Sequence, residues 1–312
     1  MRKGKVLIAA PIHEILREGL EQAGYSCVFK EDIQQEQAAV YLRDCSGLIT
    51  STRLKVDRVL IDASPTLQWI GRMGSGMEII DVAYATEKGI KCISSPEGNA
   101  NAVAEHALGM LLSLTKKITQ SHQQVSEGLW LREENRGIEL EGKTIGIIGY
   151  GHTGQAFVRK LKCMDMRVLV YDKYVKPAPA DGIEVCEEVT ILQQEADIVS
   201  FHVPLQEDTK HYFDSKWLAN INKPLIVINT SRGEVVDIKI LYEGLKTGKI
   251  FGVCLDVIEG EPLSKMSEIQ KNILHKMMEM SDRVVITPHI AGYSKEALYK
   301  MSKVLLDRIV KF

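Results

Sequence analysis

"LEGKTIGIIGYGHTGQAF", residues 140–157, is the stretch on which the fold turns. Its apolar run TIGII has the length and composition of a buried strand, and the residues after it repeat apolar positions at helical spacing. Between them Gly149, Gly151 and Gly154 form G-x-G-x-x-G, with Tyr150, His152 and Thr153 at the open positions. In a strand–turn–helix each glycine has its own task. Gly149 permits the tight turn, Gly151 lets a pyrophosphate approach the backbone, and Gly154 lets the helix pack on the strand, while the helix N-terminus attracts the phosphates. The context, more than the hexapeptide, indicates a dinucleotide site. It begins almost halfway along a chain of 312 residues, so another unit must occupy the first hundred.

Working outward, short apolar runs alternate with helix-spaced segments on both sides. Upstream lie KVLIAA, HEILREGLEQAG, YSCVFK, GLIT, LQWIGR and IKCIS; downstream, after TIGIIG, come RVLVYD, DIVSFHV, PLIVINTS, FGVCLDV and RVVITPH. Both series predict an α/β fold with doubly wound parallel sheets, the second a complete six-stranded Rossmann set. The first strand is followed by Ala10, Pro11 and Ile12, with no glycine to admit a phosphate, so the first unit is not expected to hold the dinucleotide. The longest helical stretch, residues 101–127, follows the SPEGN break, with Asn99 or Asn101 as N-cap, and marks the crossing between units. The last segment, SKEALYKMSKVLLDRIVKF, is expected to fold back onto the first unit. The division expected is 1–99 with 290–312 for a flavodoxin-like substrate domain, and 100–289 for an inserted cofactor domain.

Composition narrows the function. The chain is 45% hydrophobic and 26% charged with a formal net charge of −2, and its charges are scattered, which leaves no nucleic-acid footprint. The six cysteines fall singly without a C-x-x-C pair, as expected of reduced thiols in a cytoplasmic protein that binds no metal. The basic start MRKGKVLIAAPIHE reads as a first strand rather than a leader, and no run of about 18 apolar residues suggests a membrane span.

Asp172 closes RVLVYD, where a carboxylate accepts bonds from an adenosine ribose and repels a 2′-phosphate, favouring NAD over NADP; Lys173 and Lys176 follow closely. His202 ends DIVSFHV and is expected to line the cofactor cleft. Three later stretches put reactive groups at strand ends, where open α/β sheets bind ligands: INTSRGEVVD with Arg232, LDVIEGEPL with Glu261, and ITPHIAGYS with His289. Arg232 offers a planar fork to a carboxylate. His289 sits on a constrained turn that aims one side chain. Glu259 competes with Glu261, which Pro262 biases toward an extended backbone.

Together GRMGSGMEIID, SPEGNANAVAEHALGMLL, GKTIGIIGYGHTG, HVPLQEDT, INTSRGEVVD, CLDVIEGEPL and TPHIAGYS resemble the D-isomer-specific 2-hydroxyacid dehydrogenase family over nearly the whole chain, most closely its phosphoglycerate dehydrogenase branch. The resemblance implies an NAD-dependent enzyme with Arg232, Glu261 and His289 as its catalytic set. It implies cofactor contacts from Val203, Pro204, Thr209, Thr230, Ser231, Asp256 and Gly292 besides the glycine turn, and a homodimer built on the cofactor domains. For the substrate it implies Arg72, the loop with Ser75 and Gly76, Asn99 and Arg132. Arg53 stands later in its loop than the branch's arginine, and the chain stops at Phe312, where some relatives continue into a regulatory domain. The expected reaction is oxidation of 3-phosphoglycerate to 3-phosphohydroxypyruvate, a step of serine biosynthesis; reduction of glyoxylate or hydroxypyruvate is the alternative. A non-catalytic protein that senses the dinucleotide also fits these residues, and turnover of a small 2-oxo acid separates it from the enzymes.

Overall fold

The computed structural model describes residues 3–175 and 182–311, and it divides into two units, residues 1–102 with 292–312 and residues 103–291. Lys176, which follows Asp172 closely in sequence, lies outside the described residues. No helix among the described residues is long and apolar enough to cross a membrane.

The first unit is built on strands β1 (Gly4–Ala9), β2 (Tyr25–Phe29), β3 (Cys45–Thr50), β4 (Trp69–Arg72) and β5 (Lys91–Ser94), all parallel, in the order β2-β1-β3-β4-β5. This is the flavodoxin-like order. Every residue of β3 is buried, as expected of a parallel strand covered on both faces. The closing helix Lys295–Ile309 belongs to this unit: Leu305 and Ile309 are fully buried against Val6, Ile8, Ile49 and Trp69. Ser294 caps it by accepting from the Ala297 N–H. Truncating Leu305 to alanine would cost about 2–5 kcal/mol.

The second unit adds β6 (Thr144–Ile148), β7 (Arg167–Tyr171), β8 (Ile183–Val185), β9 (Ile198–Phe201), β10 (Leu225–Asn229), β11 (Ile250–Leu255) and β12 (Val284–Ile286), in the parallel order β12-β11-β10-β9-β6-β7-β8. From β6 the chain runs outward to β8, then returns to β9 on the other side of β6. The resulting crevice at the β6 and β9 ends is the switch point where such sheets take ligands. The sheet has seven strands where six were expected. The extra one, β8, is three residues long and too short to announce itself by pattern.

The expected helix over 101–127 is corrected. It begins at Pro96 and ends at Thr115, and a second helix, Ile118–Ser126, follows Lys117 at φ 53°. Proline supplies a preset φ and lacks the N–H that a first helical residue leaves unpaired, so the start moves ahead of both asparagines and Asn99 lies within the first turns. At the other end the Thr115 carbonyl accepts from the Ile138 N–H, which draws the helix end toward the following loop.

Candidate active site

The glycine turn explains itself sterically. Gly149 has φ 94°, and a Cβ there would lie 2.6 Å from the His202 carbonyl oxygen. A Cβ on Gly154 would lie 2.1 Å from the Gly149 carbonyl oxygen. Gly151 differs: its φ is −74°, and a Cβ there would meet nothing within 4 Å. The fold needs no glycine at 151, so its bareness keeps space open above the N-terminus of the helix His152–Leu161, for which Gly151 is the cap residue without a side chain to close it. His152 and Thr153 form that helix's first turn.

Asp172, one residue beyond β7, is the anchor of this turn. Its Oδ2 accepts the Tyr150 N–H at 2.6 Å, and its Oδ1 accepts the N–H groups of Tyr174 and Val175, both at 2.8 Å. A carboxylate has about four acceptor positions. One remains on Oδ2, enough for a single ribose hydroxyl.

After β9 the expected contacts divide between main chain and side chain. The His202 ring is turned into the core: Nε2 pairs with Ser200 Oγ at 2.8 Å, the ring packs on Phe157, and burial pushes its pKa down to about 3. The ring therefore stays neutral, with Nδ1 buried and without a hydrogen-bond partner; His202 also gives the turn the carbonyl beneath Gly149. Thr209 spends its hydroxyl inside its own loop, donating to the Pro204 carbonyl at 2.6 Å and accepting from the Gln206 N–H at 2.7 Å. Val203 is half-buried against the core of the second unit.

At the end of β10, Asn229 shapes the segment that carries Arg232. Its Oδ1 accepts from the Ser231 N–H and hydroxyl, and its Nδ2 donates to the Arg232 carbonyl at 2.8 Å. Sequence reasoning passed over Asn229, whose role appears only once the turn is closed. Arg232 is half-buried with Nη1 donating to the Ser231 carbonyl at 2.7 Å. A Cβ on the following Gly233 would lie 2.2 Å from the Ile258 carbonyl carbon, so glycine alone lets the Arg232 loop approach the loop after β11. The hydroxyl of Thr230 is buried without a hydrogen-bond partner. An orphaned polar atom of this kind is a handle for a ligand.

His289 follows β12 at φ 55°, a left-handed conformation that costs a non-glycine residue about 1–3 kcal/mol. Asp256 sustains it. The Asp256 carbonyl accepts the His289 N–H at 2.8 Å, and its carboxylate, 1% exposed, accepts from the Thr287 hydroxyl and the N–H groups of Ile290 and Ala291. Asp256, expected among the cofactor contacts, thus also uses three of its carboxylate's acceptor positions on the His289 turn. His106, which the sequence did not single out, donates through Nε2 to Thr287 Oγ1 at 2.9 Å and braces the same turn.

The two glutamates separate cleanly. Glu261 Oε1 is hydrogen-bonded to His289 Nδ1, and its Oε2 accepts the Ile258 N–H at 3.2 Å. Glu259 instead pairs with His211 Nε2 at 2.9 Å. With Nδ1–H donating to a carboxylate, a neutral His289 keeps its lone pair on Nε2. The side chain is 43% exposed, so that nitrogen is accessible.

In the first unit Arg72 is buried at the end of β4, and its guanidinium hydrogen-bonds the Met73 carbonyl. The Gly74–Gly76 loop wraps around it: Gly74 has φ 131°, and a Cβ there would lie 2.1 Å from Arg72 Nη1. Ser95 fixes the loop by accepting the Gly74 N–H at 3.0 Å, leaving Ser75 exposed and Gly76 half-buried. A Cβ on Gly292 would lie 2.8 Å from Asn99 Nδ2, the mobile end of a side chain. Arg53 is engaged with the Asp32 carboxylate at 2.8 Å and the Glu31 carbonyl at 3.2 Å, and this exposed pairing turns it to its own loop. Arg132, in the second unit, is exposed. No group of three or more His, Cys, Asp or Glu among the described residues is placed to hold a metal ion.

Residues 108–291 match the D-isomer specific 2-hydroxyacid dehydrogenase, NAD binding domain family. Among curated proteins the chain is similar to D-3-phosphoglycerate dehydrogenase of Archaeoglobus fulgidus, 34% identical over 308 residues, covering 98% of this chain and 56% of the relative. It is equally similar to hydroxypyruvate reductase of Thermotoga maritima, 34% identical over 284 residues, covering 91% of this chain and 90% of the relative. Among solved structures it resembles a glyoxylate reductase from Paecilomyes thermophila, with TM-score 0.86, 25% identity and coverage of 99% and 95%. The chain thus spans little more than half the length of the phosphoglycerate dehydrogenase it matches. The glycine turn open at Gly151, the spare acceptor on Asp172 and the orphaned Thr230 hydroxyl fit NAD, and with residues 108–291 matched the chain belongs to the D-isomer specific 2-hydroxyacid dehydrogenase family.

Proposed function

We propose that the chain is an NAD-dependent D-2-hydroxyacid dehydrogenase whose substrate is 3-phosphoglycerate, oxidised to 3-phosphohydroxypyruvate. The observation that carries the reaction class is the His289–Glu261 pair on a turn braced by Asp256, with Nε2 left to act. Nε2 takes the proton of the C2 hydroxyl, and Glu261 holds Nδ1–H, fixes the tautomer and offsets the charge of the imidazolium that forms. Arg232 binds the substrate carboxylate through its planar fork. NAD, when bound over Gly151 and Asp172, supplies the acceptor for the hydride that leaves C2. In the reductive direction His289 returns the proton to the carbonyl oxygen.

Phosphate recognition is the finer part of the proposal, and it rests on Arg72 and Arg132, with Ser75, Gly76 and Asn99 completing the substrate set. A pocket for an unphosphorylated acid has little use for extra cations, whose desolvation goes uncompensated. The pairing of Arg53 with Asp32 removes one cation from that set and favours the second reading, a hydroxypyruvate or glyoxylate reductase, which the Thermotoga maritima relative also supports. A homodimer belongs to the same proposal. Val125, Leu129 and Trp130 are exposed apolar residues of the second unit that a second copy would cover. The test is an NADH-linked reduction panel with phosphohydroxypyruvate, hydroxypyruvate, glyoxylate, pyruvate and 2-oxoglutarate. Preference for phosphohydroxypyruvate, weakened selectively by Arg132→Ala, supports the phosphoglycerate reading; preference for an unphosphorylated acid overturns it in favour of the second, and no turnover with any of them overturns both.

A further inference from the structure

Two loops of the second unit meet beside the glycine turn. One leaves β7 with Asp172, Lys173 and Tyr174; the other leaves β9 with Asp208. Lys173 Nζ lies 2.5 Å from Asp208 Oδ2, the Tyr174 hydroxyl lies 3.3 Å from the same oxygen, and the Lys173 ammonium sits 5.2 Å from the centre of the Tyr174 ring. Asp172, next in sequence, is the group aimed at the adenosine ribose. Its power to discriminate between dinucleotides is limited by its other duty, because three backbone N–H groups already occupy most of its acceptor positions. Lys173 carries the opposite sign on a flexible stem. Swung toward the ribose, its ammonium would neutralise a phosphate esterified at the 2′ position.

We propose that Asp208 biases cofactor choice: by pairing Lys173 across the ends of β7 and β9 it withholds the lysine from a 2′-phosphate and so favours NAD over NADP in the crevice. The inference rests on the reading of the glycine turn and Asp172 as the dinucleotide site. The hydrogen bond between the two groups raises the lysine pKa and lowers the aspartate pKa, so both are charged at neutral pH. The pair is solvent-exposed and makes no demand on the core, so replacing either partner leaves folding intact.

Nucleotide fluorescence measures NADH and NADPH binding without turnover, in the unaltered chain and in Asp208→Asn, Lys173→Met and the double variant. Asp208→Asn is expected to tighten NADPH roughly 2- to 5-fold, the scale of an exposed charge interaction, with NADH changed by less than about 1.5-fold. The gain is expected to vanish in the double variant and to shrink as salt rises from about 0.05 M to about 0.5 M. An unchanged ratio of NADPH to NADH affinity in Asp208→Asn overturns the proposal. So does an equal gain in the double variant, which assigns the effect to loss of a repelling carboxylate alone. If the unaltered chain binds neither nucleotide, the dinucleotide reading falls as well; NADH binding with a flat ratio removes only the role of Asp208.

Discussion

Replacing Gly151 by alanine separates the needs of the fold from those of the ligand. At φ −74° alanine is as comfortable as glycine, and its methyl meets no protein atom within 4 Å. Two small effects oppose each other in the empty protein: alanine restricts the unfolded chain, worth about 0.4–1 kcal/mol of added stability, but is a poorer helix cap than glycine by a similar amount. The variant should therefore melt within a few degrees of the unaltered chain. The same methyl occupies the space through which a pyrophosphate reaches the helix N–H groups. An added carbon in a tight contact costs about 1–3 kcal/mol, which at about 1.4 kcal/mol per decade weakens NADH by roughly 5- to 150-fold. Gly154→Ala is the counterpart, because its methyl would lie 2.1 Å from the Gly149 carbonyl oxygen with no ligand present. That variant should lose stability first and binding as a consequence. Thermal denaturation and NADH fluorescence titration read both quantities. A Gly151→Ala variant that binds NADH as tightly as the unaltered chain would refute the placement of the pyrophosphate at this turn.

What the sequence disclosed, it disclosed through local sterics. Two parallel sheets were legible because strands such as TIGII and LIVIN are continuous apolar runs, and the glycine spacing was legible because close approach excludes a side chain. The crossing helix was misjudged because Asn99 and Asn101 are good caps in isolation, whereas Pro96 acts earlier in the chain. Asn229, His106 and His211 stayed hidden for a different reason. Each does its work on a residue distant in sequence or on a turn formed only in the fold: His106 on Thr287, His211 on Glu259, Asn229 on the turn to Arg232. Glu259 and Glu261 could not be separated by composition, since both are acidic residues around one glycine. The β11–Pro262 loop separates them by giving each carboxylate a different histidine. Asp256 adds a second duty that the sequence hides, a strand-end carboxylate that reads as a ligand contact and also supports a strained turn from within.

The remaining predictions concern proton transfer, substrate binding and acid stability. His289→Ala should lower kcat by roughly 10²- to 10⁴-fold with NADH affinity within about 2-fold, and a near-normal kcat removes it from the mechanism. Glu261→Gln should depress kcat well below that of Glu259→Gln, because only Glu261 bonds His289; equal losses would mean that loop geometry, not the carboxylate, is being measured. Arg232→Lys keeps the charge but loses the planar fork, so KM for the 2-oxo acid should rise about 10-fold while NADH binding holds. His202 contributes to the loss of stability in acid. Burial lowers its pKa from 6.5 to about 3, so between those values the unfolded chain binds a proton that the folded chain refuses. Stability conferred by the neutral ring is therefore complete above pH about 6.5 and is lost as pH falls toward about 3. Each pH unit of that window is worth about 1.4 kcal/mol, which sets a ceiling of about 5 kcal/mol over the whole of it. His202→Gln removes the titrating group while keeping a partner for the Ser200 hydroxyl, at the cost of some packing against Phe157. Denaturant unfolding between pH 7 and pH 4 should then show a lower stability at neutrality but a flatter decline with acid, and an unchanged slope would mean that the ring is not held neutral in the core.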